Sequence, residues 1–331
     1  SAWFTGRALV YVLAEDSMKN FASNINAFSD IEIVGSSNNA RPILLKIEVV
    51  VADGEEVAYR IYNGQDFNKI FDASDKNFEV MNDIYDVDLS GCISESGIYA
   101  PAFSGTLGSA QPTTGRVVRT ITFKSITITI DKQNNQVLYN GKAITNSDSL
   151  ANTDYTAILG SLYGSVSNLN FVVPTYTAKN VEGNISILAT LQQDAKLENI
   201  SLSINQTNIT GEVSNIAAVS TNFGTIDGLS VRFFNYNLNL TGNANIAFAI
   251  AQNNSSASDV DVSGNVTITG TDTSDIYNFG GVVATNNEEA TLKNVQSMAN
   301  LKGGLYQDSD QQNQNTNFNL VGGVVAQNLG K

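Results

Sequence analysis

The stretch Gly280-Gly281-Val282-Val283-Ala284, followed by Asn286, returns near the end of the chain as Gly322-Gly323-Val324-Val325-Ala326, followed by Asn328. Looser forms of the same phrase precede it. Ile246-Ala247-Phe248-Ala249-Ile250 comes before Asn253 and Asp259-Val260, and Ile216-Ala217-Ala218-Val219 before Asn222 and Gly228-Leu229. Ile187-Leu188-Ala189-Thr190-Leu191 comes before Asn199-Ile200. The anchors Leu169, Ile200, Leu229, Val260 and Val295 lie 31, 29, 31 and 35 residues apart. A period of roughly 20–50 residues indicates a stacked repeat in which each unit buries its apolar face against the next.

Within each unit the runs are short, β-branched and alternating, as in Leu202, Ile204 and in Val260, Val262 and Val266, Ile268. Period-two alternation reads as strand, because successive side chains point to opposite faces. About 30 residues per unit, with strands and turns but no helical period, predicts an all-β fold, a right-handed parallel β-helix. Asn222, Asn253, Asn286 and Asn328 recur just after the first run of their units. Stacked coils would set these amides in a ladder, so their expected role is scaffold.

Two further stretches carry a resemblance. Tyr163-Gly164-Ser165-Val166-Ser167-Asn168-Leu169 resembles the GLUG-type repeats of bacterial surface proteins and adhesins. Phe78 to Ile84, with Asp88-Leu89-Ser90-Gly91 and then Phe103-Ser104-Gly105-Thr106-Leu107, is similar to the lead-in of such repeats. The pattern departs after Leu107, where Gly108-Ser109-Ala110-Gln111-Pro112 stands in place of Asp-Gly-x-Gly. The resemblance spans residues 64–331 and implies a secreted or cell-surface, extracellular adhesin built on a right-handed β-helix. In composition the chain also resembles the tāpirin cellulose-binding surface proteins, being rich in Asn and nearly free of Cys. That implies an insoluble plant polysaccharide such as cellulose as the ligand, with a host protein or glycan as an alternative partner.

Composition narrows the chemistry. The net charge of −14 argues against nucleic acid, whose phosphates need clustered Lys and Arg. No apolar run approaches the roughly 20 residues that cross a bilayer. Histidine is absent, which removes Ser-His-Asp and Cys-His catalysis and His-based zinc sites. The one cysteine, Cys92, reads as a small core residue. A monomer stabilised by stacking, with no cofactor, is the expectation.

Residues 1–63 do not follow the repeat and read as an N-terminal cap. Leu9, Val12, Leu13, Met18, Phe21 and Ile25 fit an amphipathic helix within 7–28. Asp53-Gly54 between two β-rich runs, 43–51 and 57–62, predicts a hairpin. Residues 64–331 read as the β-helix. A segment near 101–155 reads either as early coils or as a decorating hairpin, and 307–317 as a loop insertion.

Carboxylates are the groups that could support catalysis, as in β-helical polysaccharide lyases or hydrolases. The clusters are Asp83, Asp86 and Asp88; Asp259 with Asp261; Asp272 with Asp275; and Glu288 with Glu289. No basic residue joins them in a motif, so a non-catalytic protein is favoured over an enzyme and over a passive stalk. A structural Ca²⁺ could be held by Asp308, Asp310 and Asn313, although no EF-hand pattern is present. For sugar stacking, alternation places Arg232, Phe234 and Tyr236 on one strand face, with Tyr163 and Tyr306 as further candidates.

Overall fold

The computed structural model describes residues 6–12, 43–49, 58–112, 115–145, 153–270, 275–303, 305–306, 314–315 and 317–331. The chain divides into two compact units, 1–57 and 58–331.

In the first unit Gly6–Val12 pairs antiparallel with Ile43–Val49, Val10 opposite Leu45. The helix expected within 7–28 is therefore strand over its first six residues, and residues 13–42 lie outside the described set. The run Ala8-Leu9-Val10-Tyr11-Val12 is continuous and β-prone, and pairing with a second such run overrides the helical spacing. The Asp53-Gly54 turn of the expected hairpin lies outside the described residues, and its first arm, Ile43–Val49, pairs with Gly6–Val12. Its second arm, Tyr59–Ile61, pairs parallel with Phe78–Val80 and belongs to the second unit.

That second unit is a parallel β-solenoid of about 7 turns with about 31 residues per turn. One column of interior side chains traces the stack: Phe78, Leu107, Val166, Leu197, Ile226 and Ala257 are rung partners, and all are buried. Four long bent strands, Ser165–Ser186, Lys196–Ala217, Thr225–Thr241 and Ser256–Gly270, lie in register along one wall. Shorter strands ending in Leu191, Asn222, Asn253, Asn286 and Asn328 close each coil. The bends are made by residues with left-handed backbone at one matched corner: Asn168, Asn199, Gly228, Asp259 and Asn294. Asn, Asp and Gly tolerate positive φ, which is why this corner holds only those types.

The segment near 101–155 resolves into both alternatives. Thr106–Ser109, Arg119–Phe123 and Ile126–Asp131 are coil rungs, each pairing parallel with Ser165–Ser186. Gln136–Tyr139 then turns back antiparallel on Ile126–Asp131, and Lys142–Ile144 on Gln136–Tyr139, so the sheet ends in a meander. Asp131 closes the first turn by accepting from the Gln133 and Asn134 amides at 3.0 and 3.1 Å. Asn140 and Gly141, both at positive φ, make the second. Antiparallel strands at the boundary of a parallel stack alter the edge that further chains could join.

Candidate functional site

The short closing strands set a turn of constant geometry. Leu162, Leu191, Asn222, Asn253, Asn286 and Asn328 occupy one rung position. The residues that follow them, Tyr163, Gln192, Phe223, Asn254, Asn287 and Leu329, donate their backbone N–H to the rung before, at 2.8 to 3.1 Å. Tyr163 and Phe223 therefore stand at the same turn two coils apart, about 9.6 Å along the stack at the usual strand spacing. Both project outward, 53% and 50% exposed. Glycine follows each ring because the chain has no room for a side chain there. A Cβ on Gly164 would overlap the Gly105 carbonyl, and one on Gly224 the Ala195 carbonyl.

Beneath this turn the four asparagines form the ladder. Asn222 Nδ2 donates to Asn253 Oδ1 at 2.7 Å, Asn253 to Asn286 at 2.8 Å, and Asn286 to Asn328 at 2.7 Å. Asn222 also caps its own turn, accepting from the Gly224 amide at 3.0 Å. A second ladder runs along another column: Asn215 donates to Asn184, Asn245 to Asn215, Asn278 to Asn245 and Asn319 to Asn278. The sequence carries this column as an Asn recurring before each apolar run.

The aromatic set expected on one strand face is split. Arg232 and Phe234 are exposed, and the guanidinium carbon lies 4.1 Å from the ring centroid. Tyr236 is fully buried, packed against Phe233 and Phe248 with centroids 4.6 and 5.7 Å away. The register breaks between Phe233 and Tyr236, so two consecutive residues point outward and the alternation resets. Tyr236 is thus a core residue. Tyr306 lies in a two-residue strand paired antiparallel with Gln314–Asn315. Asp308, Asp310 and Asn313 lie outside the described residues.

Of the carboxylates weighed for catalysis, Asp83, Asp88, Asp259, Asp261 and Asp275 are engaged in local structure. Asp83 accepts from the Thr120 amide at 2.9 Å. Asp88 caps the turn at 89–92 through the Ser90 amide and hydroxyl. Burial raises its pKa, but the Ser90 bonds, Asn140 and Lys124 outweigh that and leave it lowered. Asp259, at the left-handed corner itself, accepts from Asn294, and Asp261, just past it, accepts from Ser230. Asp275 is buried and accepts from the Tyr277 hydroxyl at 3.3 Å; Asp272 lies outside the described residues. Glu288 and Glu289 are exposed on a turn. Among the described residues no three acidic or Cys side chains form a group that could hold a metal ion.

A groove of about 630 Å³ opens beside the meander, lined by Asp131, Lys132 and Glu212 over Ile130, Leu138 and Val181. Lys132 is paired with Glu182, and this bond, with Glu212 nearby, raises the lysine's pKa.

Comparison of the chain with protein-family models, with curated proteins and with solved structures finds no match.

Proposed function

We infer that this protein is a non-catalytic, extracellular adhesin that binds an insoluble β-linked plant polysaccharide such as cellulose along its solenoid. The observation that carries this reading is the placement of Tyr163 and Phe223 at one turn, two coils apart, both half exposed. Their separation is comparable with one disaccharide repeat of an extended β-1,4-glucan, whose rings offer apolar faces for stacking. The solenoid supports such rings rigidly, since backbone bonds fix both turns and the buried ladder begins at Asn222, beside Phe223. The phrase that resembles GLUG repeats contains Tyr163. The engagement of Asp83, Asp88, Asp259, Asp261 and Asp275 in turns and ladders favours binding over lyase or hydrolase chemistry.

The test is a pull-down on microcrystalline cellulose, xylan and pectin gels with salt varied. Saturable retention on cellulose that resists salt is expected, weakened about tenfold by each of Tyr163→Ala and Phe223→Ala. No retention on any polymer would overturn the reading in favour of a protein partner or a stalk.

A further inference from the structure

On a different column from the aromatic turn, a groove of about 370 Å³ is lined by Asn243, Ala244, Asn245, Ile276, Asn278 and Asn319. We propose that this groove is a subsite for a neutral oligosaccharide, with Ile276 as its apolar platform and the side-chain amides as its polar contacts. The proposal rests on the polysaccharide reading above and assigns it a second point of contact.

The lining chemistry selects the class of ligand. No charged side chain lines the groove among the described residues. A uronic-acid polymer would bring carboxylates with no Lys or Arg to meet them, and a cationic ligand would find no carboxylate. What the groove offers is neutral amide donors and acceptors, the partners that sugar hydroxyls need.

Those amides retain bonding capacity. Asn278 donates one Nδ2 hydrogen to Asn245 Oδ1 at 2.8 Å and accepts from Asn319 at 3.2 Å. Each primary amide carries two N–H donors and an oxygen with two lone pairs. The ladder therefore uses one hydrogen per amide, directed along the stack, and leaves the second to point across it. Asn243 is held differently: its Oδ1 accepts from the Ile276 backbone amide at 2.7 Å, which leaves both Nδ2 hydrogens uncommitted. That same bond fixes Ile276, whose side chain is 44% exposed at the groove. The ladder recurs once per rung from Asn184 to Asn319, and the groove takes its last three amides, Asn245, Asn278 and Asn319, as evenly spaced donors and acceptors.

Titration of the isotope-labelled protein with cellohexaose, followed by NMR, tests the proposal. Saturable shifts are expected at the Nδ2 hydrogens of Asn243 and Asn278 and at the Ile276 δ-methyl, with none on adding trigalacturonate. Ile276→Ala, at an exposed position, should weaken the cellohexaose response about tenfold while the rest of the spectrum stays in place; Asn243→Ala should do the same. Unmoved groove signals, or equal shifts with trigalacturonate, would overturn it. If cellulose retention persists and depends on Tyr163 and Phe223 while these signals stay still, the groove falls alone. If retention and shifts are both absent, both readings fall.

Discussion

Asn253 Nδ2 donates to Asn286 Oδ1 at 2.8 Å, 33 residues further along the chain and one coil further along the stack. Its own Oδ1 accepts from Asn222, and all three side chains are fully buried. Asn253→Ala therefore strands a donor on one neighbour and an acceptor on the other, away from water. The expected cost is roughly 2–4 kcal/mol, against less than about 1 kcal/mol for Asn328→Ala at the exposed end of the ladder. Urea midpoints of the two variants would show the difference, and equal midpoints would mean the ladder contributes nothing beyond turn shape.

Gly224 tests how tightly the aromatic turn is built. A Cβ there meets the Ala195 carbonyl oxygen inside van der Waals distance and the Gln192 carbonyl at 3.0 Å, both backbone atoms with no side chain to move aside. Gly224→Ala should destabilise by about 2–4 kcal/mol and displace Phe223, lowering the melting temperature and cellulose retention together. Phe223→Ala should lower retention alone, because its ring is half exposed.

The repeat was legible because stacking forces equivalent residues onto equivalent rungs. The register pairs Leu169 with Ile200, Leu229 and Val260, the same anchors that mark the period. What alternation alone misplaced were residues next to backbone irregularities. Tyr236 follows a break in register, so counting by twos from Arg232 puts it on the wrong face. Phe223 escaped notice because its column holds Gln192, Asn254 and Asn287 as well as Tyr163, and no pattern of residue type runs through it. The shared ring-then-glycine pair, Tyr163-Gly164 and Phe223-Gly224, is the signal that finds it. Over 6–12, a helical spacing of apolar residues coexists with a run equally suited to a strand, and only the distant partner at 43–49 decides between them.

Two buried tyrosines should respond oppositely to losing their hydroxyls. Tyr176 donates to the Thr156 carbonyl at 2.6 Å, so Tyr176→Phe leaves a buried carbonyl short of a partner and should cost about 1–2 kcal/mol. The Tyr236 hydroxyl has no partner among the described residues. Tyr236→Phe removes a desolvated polar group without opening a cavity and should be neutral or stabilising by up to about 1 kcal/mol. Paired urea unfolding curves check the sign, and a clear loss in Tyr236→Phe would show that its hydroxyl is satisfied in solution.

These phenols, with the buried Cys92 thiol whose pKa burial also raises, contribute to the alkaline limit of the fold. Burial holds Tyr139, Tyr176 and Tyr236 above the ordinary tyrosine pKa of 10.0, by disfavouring the phenolate. The unfolded chain therefore releases these protons at lower pH than the folded one. Their contribution to stability is fully present below about pH 10 and declines above it, by about 1.4 kcal/mol per pH unit for each phenol. The chain has no histidine, so no imidazole adds slope across about pH 5–8. Urea midpoints measured from pH 6 to about 12 should be governed by the tyrosines only in the upper part of the range. Tyr139→Phe, which removes one such proton from the linkage, should reduce the alkaline slope by about 1.4 kcal/mol per pH unit. An unchanged slope in that variant would place the alkaline transition in groups other than the buried phenols.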